Sequence, residues 1–103
     1  MPDRETQMKA LSSPPRLRIL QLLARPRKHF GHQHSADPLK FGVCKSLIAE
    51  ALGLSQPTVS RHVDLLRQAG FLTAHRHEKW SYCKRDDAAL NEYIQWLQRD
   101  LKL

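Results

Sequence analysis

A chain of 103 residues with a hydrophobic fraction of 41% supports one small domain with an adequate core, and no more than that. The formal charge of +7 and a pI near 9.9 favour a polyanionic partner. No apolar run approaches the roughly 20 residues that span a bilayer, and MPDRETQMKA lacks the apolar stretch of a secretory signal. The expected location is therefore the cytoplasm, with no membrane partner. Aromatic residues make up only 7%, which favours a mostly helical globule over a sandwich. Cys44 and Cys83 lie far apart with no CxxC pair, so a zinc knuckle and a lasting disulfide are both disfavoured.

Residues 3–11 predict a short first helix with Met8 and Leu11 as its apolar contacts. Ser12, Ser13, Pro14 and Pro15 break it and start the next, because proline suits a first helical turn. Residues 16–24 predict a second helix whose Leu17, Ile19, Leu20, Leu22 and Leu23 make it apolar around much of its circumference, as in a core helix. Residues 25–42, RPRKHFGHQHSADPLKFG, carry two prolines, two glycines and three histidines without a helical or strand period. They read as one long loop, of the kind that is functional or disordered.

Helical spacing returns over residues 45–52, with Leu47, Ile48, Ala51 and Leu52 on one side. The stretch AEALGLSQPTVSRHVDLLRQA then has the grammar of a helix-turn-helix over about 45–69. Ala49 lets a second helix cross closely, Gly53 can turn with positive φ, and Val59 anchors the next helix. Ser55 is a natural N-cap and Pro57 is tolerated in a first turn. Val59, Val63 and Leu66 form one stripe, so Pro57, Ser60, Arg61, Asp64 and Gln68 face away from the core. Gly70 ends this helix.

Residues 71–76 and 80–85 predict the two strands of a hairpin, a wing over about 71–85 with His77, Glu78 and Lys79 at its tip. From residue 53 to 85 there are six basic side chains against two acidic ones; from 86 to 103 there are two against four. The basic character thus belongs to the helix-turn-helix and the hairpin. Asp86 or Asp87 caps a final helix over about 87–102, where Leu90, Ile94, Leu97 and Leu101 repeat along one seam and Tyr93 and Trp96 widen it. A small domain has little core left to cover this surface. Leu90 and Ile94 are expected to pack internally, with Leu97 and Leu101 meeting a second copy of the chain.

ALSSPPRLRILQLLA resembles the second-helix signature of the ArsR/SmtB family of bacterial winged-helix repressors. AEALGLSQPTVSRHVDLLRQAGFL resembles that family's helix-turn-helix, and KWSYCKR its second wing strand. The resemblance implies a mainly α (α+β) winged helix-turn-helix in one domain, residues 1–103, with a two-stranded wing and dimerising terminal helices. It implies a homodimer, here through Met8, Leu11, Leu90, Ile94, Leu97 and Leu101. It also implies binding to an inverted repeat in double-stranded operator DNA, with an inducer lowering the affinity. Gln56, Thr58, Ser60 and Arg61 are the implied contacts, and their chemistry agrees: Gln pairs with adenine, Arg with guanine, and small hydroxyls with phosphates. Ser55 and Pro57 at the helix start, His62 beside it, and Arg76 and Lys79 on the wing complete the expected DNA-binding set. His62 lies on the flank of the buried stripe, so a packing role stays open for it.

Three departures bear on regulation. The family's Cys-x-Cys pair is reduced here to Cys44 and Ser46; the last helix, DDAALNEYIQWLQRDL, has no histidine for the other family metal site; and residues 25–42 are inserted. No cofactor is required, and neither a nucleophile–base arrangement nor a phosphate-cradling glycine loop suggests an enzyme. Several sensor chemistries stay open. A metal ion could sit on His29, His32 and His34 with Cys44, against solvated histidines on a polar loop. Cys44 and Cys83 could form a redox switch, against two ordinary buried thiols. The alternative to a DNA-binding regulator is a winged-helix module that binds a protein.

Overall fold

In the computed structural model, which describes residues 2–103, the chain runs α1 (Arg4–Leu11), α2 (Pro14–Leu23), α3 (Pro26–Phe30), β1 (Val43–Cys44), α4 (Lys45–Leu52), α5 (Gln56–Gln68), β2 (Leu72–His77), β3 (Trp80–Arg85) and α6 (Asp87–Asp100). Short polar residues start four of the helices. Asp3, Ser13, Ser55 and Asp86 each accept a hydrogen bond from the backbone N–H three residues on, satisfying a donor that the first turn would leave open.

Ile19, Leu20, Leu22 and Leu23 of α2 are all buried and form the centre of the core. Ile48 and Ala49 of α4 and Val59, Val63 and Leu66 of α5 pack around them. Ala49 rather than Ala51 is the buried alanine of α4; Ala51 is exposed. Gly53 ends α4 at φ +66°, a left-handed value that a side chain would strain, and this turns the chain into α5.

The wing differs from the expected two strands. β1 adds to the outer side of β3, giving an antiparallel sheet of order β1-β3-β2 with Val43 opposite Cys83 and Cys44 opposite Tyr82. One face of the sheet, with Val43, Ala74 and Cys83, packs on the helical core. The opposite face carries Cys44, His75 and Tyr82. The hairpin turns at Glu78 and Lys79 without a glycine, and Glu78 takes φ +56°. His77 belongs to β2.

Residues 25–42 are not the single structureless loop that their composition suggested. They begin with α3, whose Phe30 is buried in the core, and then fold across the outer face of the sheet. Phe41 packs against His77 and Tyr82, with ring centroids 5.9 and 6.3 Å away, and Tyr82 Oη donates to Ser35 Oγ at 2.9 Å. Buried Gln33 organises the segment. Its Nε2 donates to the carbonyls of Ala36 (2.8 Å) and Gly42 (3.1 Å), and its Oε1 accepts from Cys44 N–H (2.8 Å). Arg27 and Asp37 close the outside as an ion pair at 2.8 Å. Gly42 sits at φ +100°, where a Cβ would lie 2.6 Å from the Cys83 carbonyl oxygen; only glycine lets the chain pass this close to β3.

The molecule measures 45 × 24 × 22 Å. Tyr93 is the one buried residue of α6, edge-on to Phe71 at 5.4 Å. Arg4 ties it to α1 through a two-pronged bond to Glu92 and stands 4.6 Å over the Trp96 ring. The seam divides differently from the expectation. Leu90 and Leu97, seven residues apart, pack on the core, while Ile94 and Leu101 are exposed. The helix rolls so that this first pair faces inward beside Tyr93.

Candidate nucleic-acid interface

The first turn of α5 stands clear of the protein. Ser55, Gln56, Pro57, Thr58 and Arg61 are exposed and Ser60 is half-buried, while Val59 and Val63 on the opposite side are buried. Ser55 is spent on the cap: its Oγ accepts from Thr58 N–H and donates to Thr58 Oγ1 at 2.9 Å. Ser55 and Pro57 thus shape the turn, and Gln56, Thr58, Ser60 and Arg61 are what it presents. Asp64 lies on the same helix, but Arg67 (2.6 Å) and Gln68 (2.7 Å) bind its carboxylate and hold its pKa below the usual range. The one acidic group of α5 is therefore directed along the helix.

His62 turns inward. Arg16 donates to the carbonyls of Ala10 (2.7 Å) and Lys9 (3.1 Å), and its Nη1 lies 3.1 Å from His62 Nδ1. Arginine has no acceptor, so Nδ1 is the unprotonated ring nitrogen. Burial, with the charges of Arg16 and Arg61, lowers the His62 pKa and keeps the ring neutral. His62 thus meets Arg16 of α2, which in turn bonds the end of α1.

The hairpin brings Lys79 to the start of α5. Lys45, Ser46, Gln56, Ser60 and Lys79 line one polar hollow of about 320 Å³ with Trp80 at its side. Lys45 and Ser46, from the first turn of α4, were not among the residues expected in this surface. Their signal was present in the basic Lys45, but only the crossing of α4 over α5 brings them to Gln56. Arg76 is also exposed on the wing, its Nε reaching the Glu78 carbonyl at 3.4 Å.

The two cysteines do not form a facing pair. Both are free and buried, and the strand register sends their side chains to opposite faces of the sheet. Burial pushes the Cys83 thiol up from 9.0 to about 12. We expect a thiol reagent to leave Cys83 untouched in the native protein and to reach it only on unfolding. The same shift has a pH consequence. An unfolded thiol ionises near 9 while the buried one holds its proton to about 12, so its contribution to stability is full below pH 9 and lost as the pH rises toward 12. Cys83→Ala should flatten that alkaline fall in an unfolding titration, and an unchanged slope would refute the assignment.

His29 is exposed on α3 and does not line the second hollow that His32 and His34 share with Cys44. Among the described residues, no group of three or more His, Cys, Asp or Glu side chains is arranged to hold a metal ion. No helix among them is long and apolar enough to cross a membrane.

Residues 44–74, from the end of β1 through the helix-turn-helix to β2, match the model of the bacterial regulatory protein, arsR family. The chain is 38% identical over 93 residues to YbzH, an HTH-type transcriptional regulator of Bacillus subtilis (strain 168), covering 90% of this chain and 93% of that one. It is 30% identical over 89 residues to the transcriptional repressor SdpR of the same organism, covering 86% and 82%. The solution structure of the homodimeric winged helix-turn-helix DNA-binding domain Mb0332 from Mycobacterium bovis superposes with a TM-score of 0.66 at 22% identity, covering 93% of this chain and 78% of that one. The chain therefore belongs to the ArsR family, as a transcriptional regulator carrying a DNA-binding winged helix-turn-helix.

Proposed function

We propose that the protein is a homodimeric repressor that binds an inverted-repeat operator through α5 and the wing. The observation that carries this reading is the exposed start of α5, where Gln56, Ser60 and Lys79 border one hollow and Arg61 stands free beside them. Gln56 and Arg61 have the chemistry to read base edges, and Ser60, Thr58 and the wing's Lys79 and Arg76 the chemistry to hold phosphates. Two-fold symmetry would set the two copies of α5 roughly 34 Å apart, one turn of DNA. The repressor name of SdpR and the homodimer of the mycobacterial domain support the direction of regulation and the assembly.

The test is a mobility-shift titration on the protein's own promoter region over a range of salt. Specific binding with a steep salt dependence is expected, and binding to no fragment would end the reading. A winged helix that meets a protein instead would show neither salt slope nor sequence preference. Arg61→Ala should weaken specific binding by about 10- to 100-fold and relax the preference at one base pair. Lys79→Ala should weaken all DNA sequences alike and reduce the salt slope by about 1. Equal behaviour of the two variants would overturn this division of roles.

A further inference from the structure

Between the inserted segment and the wing lies a hollow of about 370 Å³ that the proposed DNA contacts leave unused. Leu47 and Trp80 form apolar walls, and His32, His34, Ser35 and Ser46 bring polar groups to it. We propose that this hollow is an effector site for a flat, apolar ligand with an acidic group, an arylcarboxylate by class, and that its occupation weakens DNA binding through Trp80 and Lys79. The second half of this proposal rests on the operator reading above.

The size suits a small molecule, and apolar walls with a few placed polar groups are the usual make-up of such a site. The indole of Trp80 offers a face for stacking. The polar groups are matched to an acceptor. Ser35 Oγ already accepts from Tyr82 Oη, which leaves its own proton to donate. Cys44 Sγ and Ser46 Oγ lie 3.0 Å apart and share one hydrogen between them, leaving one still to give. Gln33 is excluded from recognition because its amide is engaged by Ala36, Gly42 and Cys44. Among the described residues lining this hollow and the adjoining polar one there is no carboxylate, and the second contributes Lys45 and Lys79. The local field is therefore positive and complements an anion.

The coupling follows from shared residues. Cys44, Ser46 and Trp80 line both hollows, so one wall serves the effector site and the DNA surface. Lys79 precedes Trp80 and its ammonium stands 5.3 Å from the ring centroid. A ligand stacked on Trp80 displaces that ring or competes with Lys79 for it, and so moves a phosphate-binding side chain.

Calorimetric titration of the full chain without DNA tests the site, using 2-naphthoate and its neutral counterpart 2-naphthalenemethanol. Saturable binding of one naphthoate per chain is expected, at least about tenfold tighter than the alcohol. His34→Glu should weaken naphthoate by about tenfold, while His29→Glu, the same charge change on α3 away from the hollow, should leave it unchanged. Naphthoate at about ten times its wild-type Kd should lower promoter affinity by about tenfold in the wild type and by only about twofold in His34→Glu. Absence of saturable binding, equal binding of the alcohol, equal effects of the two variants, or binding without a change in DNA affinity would each overturn the proposal. If the chain binds no DNA even without naphthoate, the operator reading fails separately, and calorimetry still decides the site.

Discussion

Ile94→Asp is expected to convert the protein to a monomer and to lower its operator affinity by about 100-fold or more. Ile94 is 49% exposed and Leu101, two turns further along the same face of α6, is 58% exposed. Between α6 and the α1–α2 pair, Ile94 shares a hollow of about 340 Å³ with Leu11, Leu17 and Leu90. In the proposed two-fold dimer this apolar surface is covered, and the substitution acts once in each copy. Burial of one isoleucine contributes about 1.5–3 kcal/mol, and a carboxylate in its place adds a desolvation penalty on both sides of the axis. Without dimerisation the second half-site loses its effective concentration, which is where most of the affinity loss arises. Sedimentation equilibrium and the mobility shift measure the two effects, and unchanged circular dichroism would show that the fold persists. A variant that stays dimeric at micromolar concentration would remove α6 from the interface.

Gln33→Leu is expected to destabilise the domain by about 3 kcal/mol and to lower its Tm by more than about 10 °C. Three hydrogen bonds end on this one buried amide, and the substitution leaves the Cys44 N–H and the Gly42 carbonyl without their partner. An orphaned buried group costs about 1–3 kcal/mol, and the substitution creates more than one of them. The inserted segment should also become accessible: trypsin cleavage near Arg27 and Lys40 should accelerate well beyond the change in global stability. Gln33→Glu keeps an acceptor for Cys44 but sets a carboxylate oxygen against the Ala36 and Gly42 carbonyls, and should destabilise at least as much as leucine. Unaltered melting and proteolysis in Gln33→Leu would show that Phe41 and Tyr82 hold the segment without the amide.

These effects bear on regulation as well as on stability. The inserted segment lies on the outer face of the wing, so loosening it should change how the hairpin presents Lys79. In Gln33→Leu the DNA affinity is expected to fall along with the order of the segment, whereas Arg61→Ala lowers affinity without altering proteolysis. Comparing the two variants separates side chains that contact DNA from those that hold the wing in place.

The sequence by itself determined five of the six helices and the exposed start of α5. Ser55, Pro57, Gly53 and the Val59–Val63–Leu66 stripe each act locally, through a cap, a preset φ, a left-handed turn or a helical period, so their outcome could be read in order along the chain. The same held for the Asp86 cap of α6 and for the β2–β3 hairpin. Tertiary structure decided what depended on partners distant in sequence. Residues 25–42 have no period because their order comes from Gln33, Ser35 and Phe41 reaching the sheet, and β1 is a strand only because Val43 and Cys44 meet β3. The contact of His62 with Arg16 and the placement of the cysteines on opposite faces likewise came from residues distant in sequence. The roll of α6 was set by Tyr93 on Phe71 and Arg4 on Glu92, contacts that hydrophobic spacing alone does not encode.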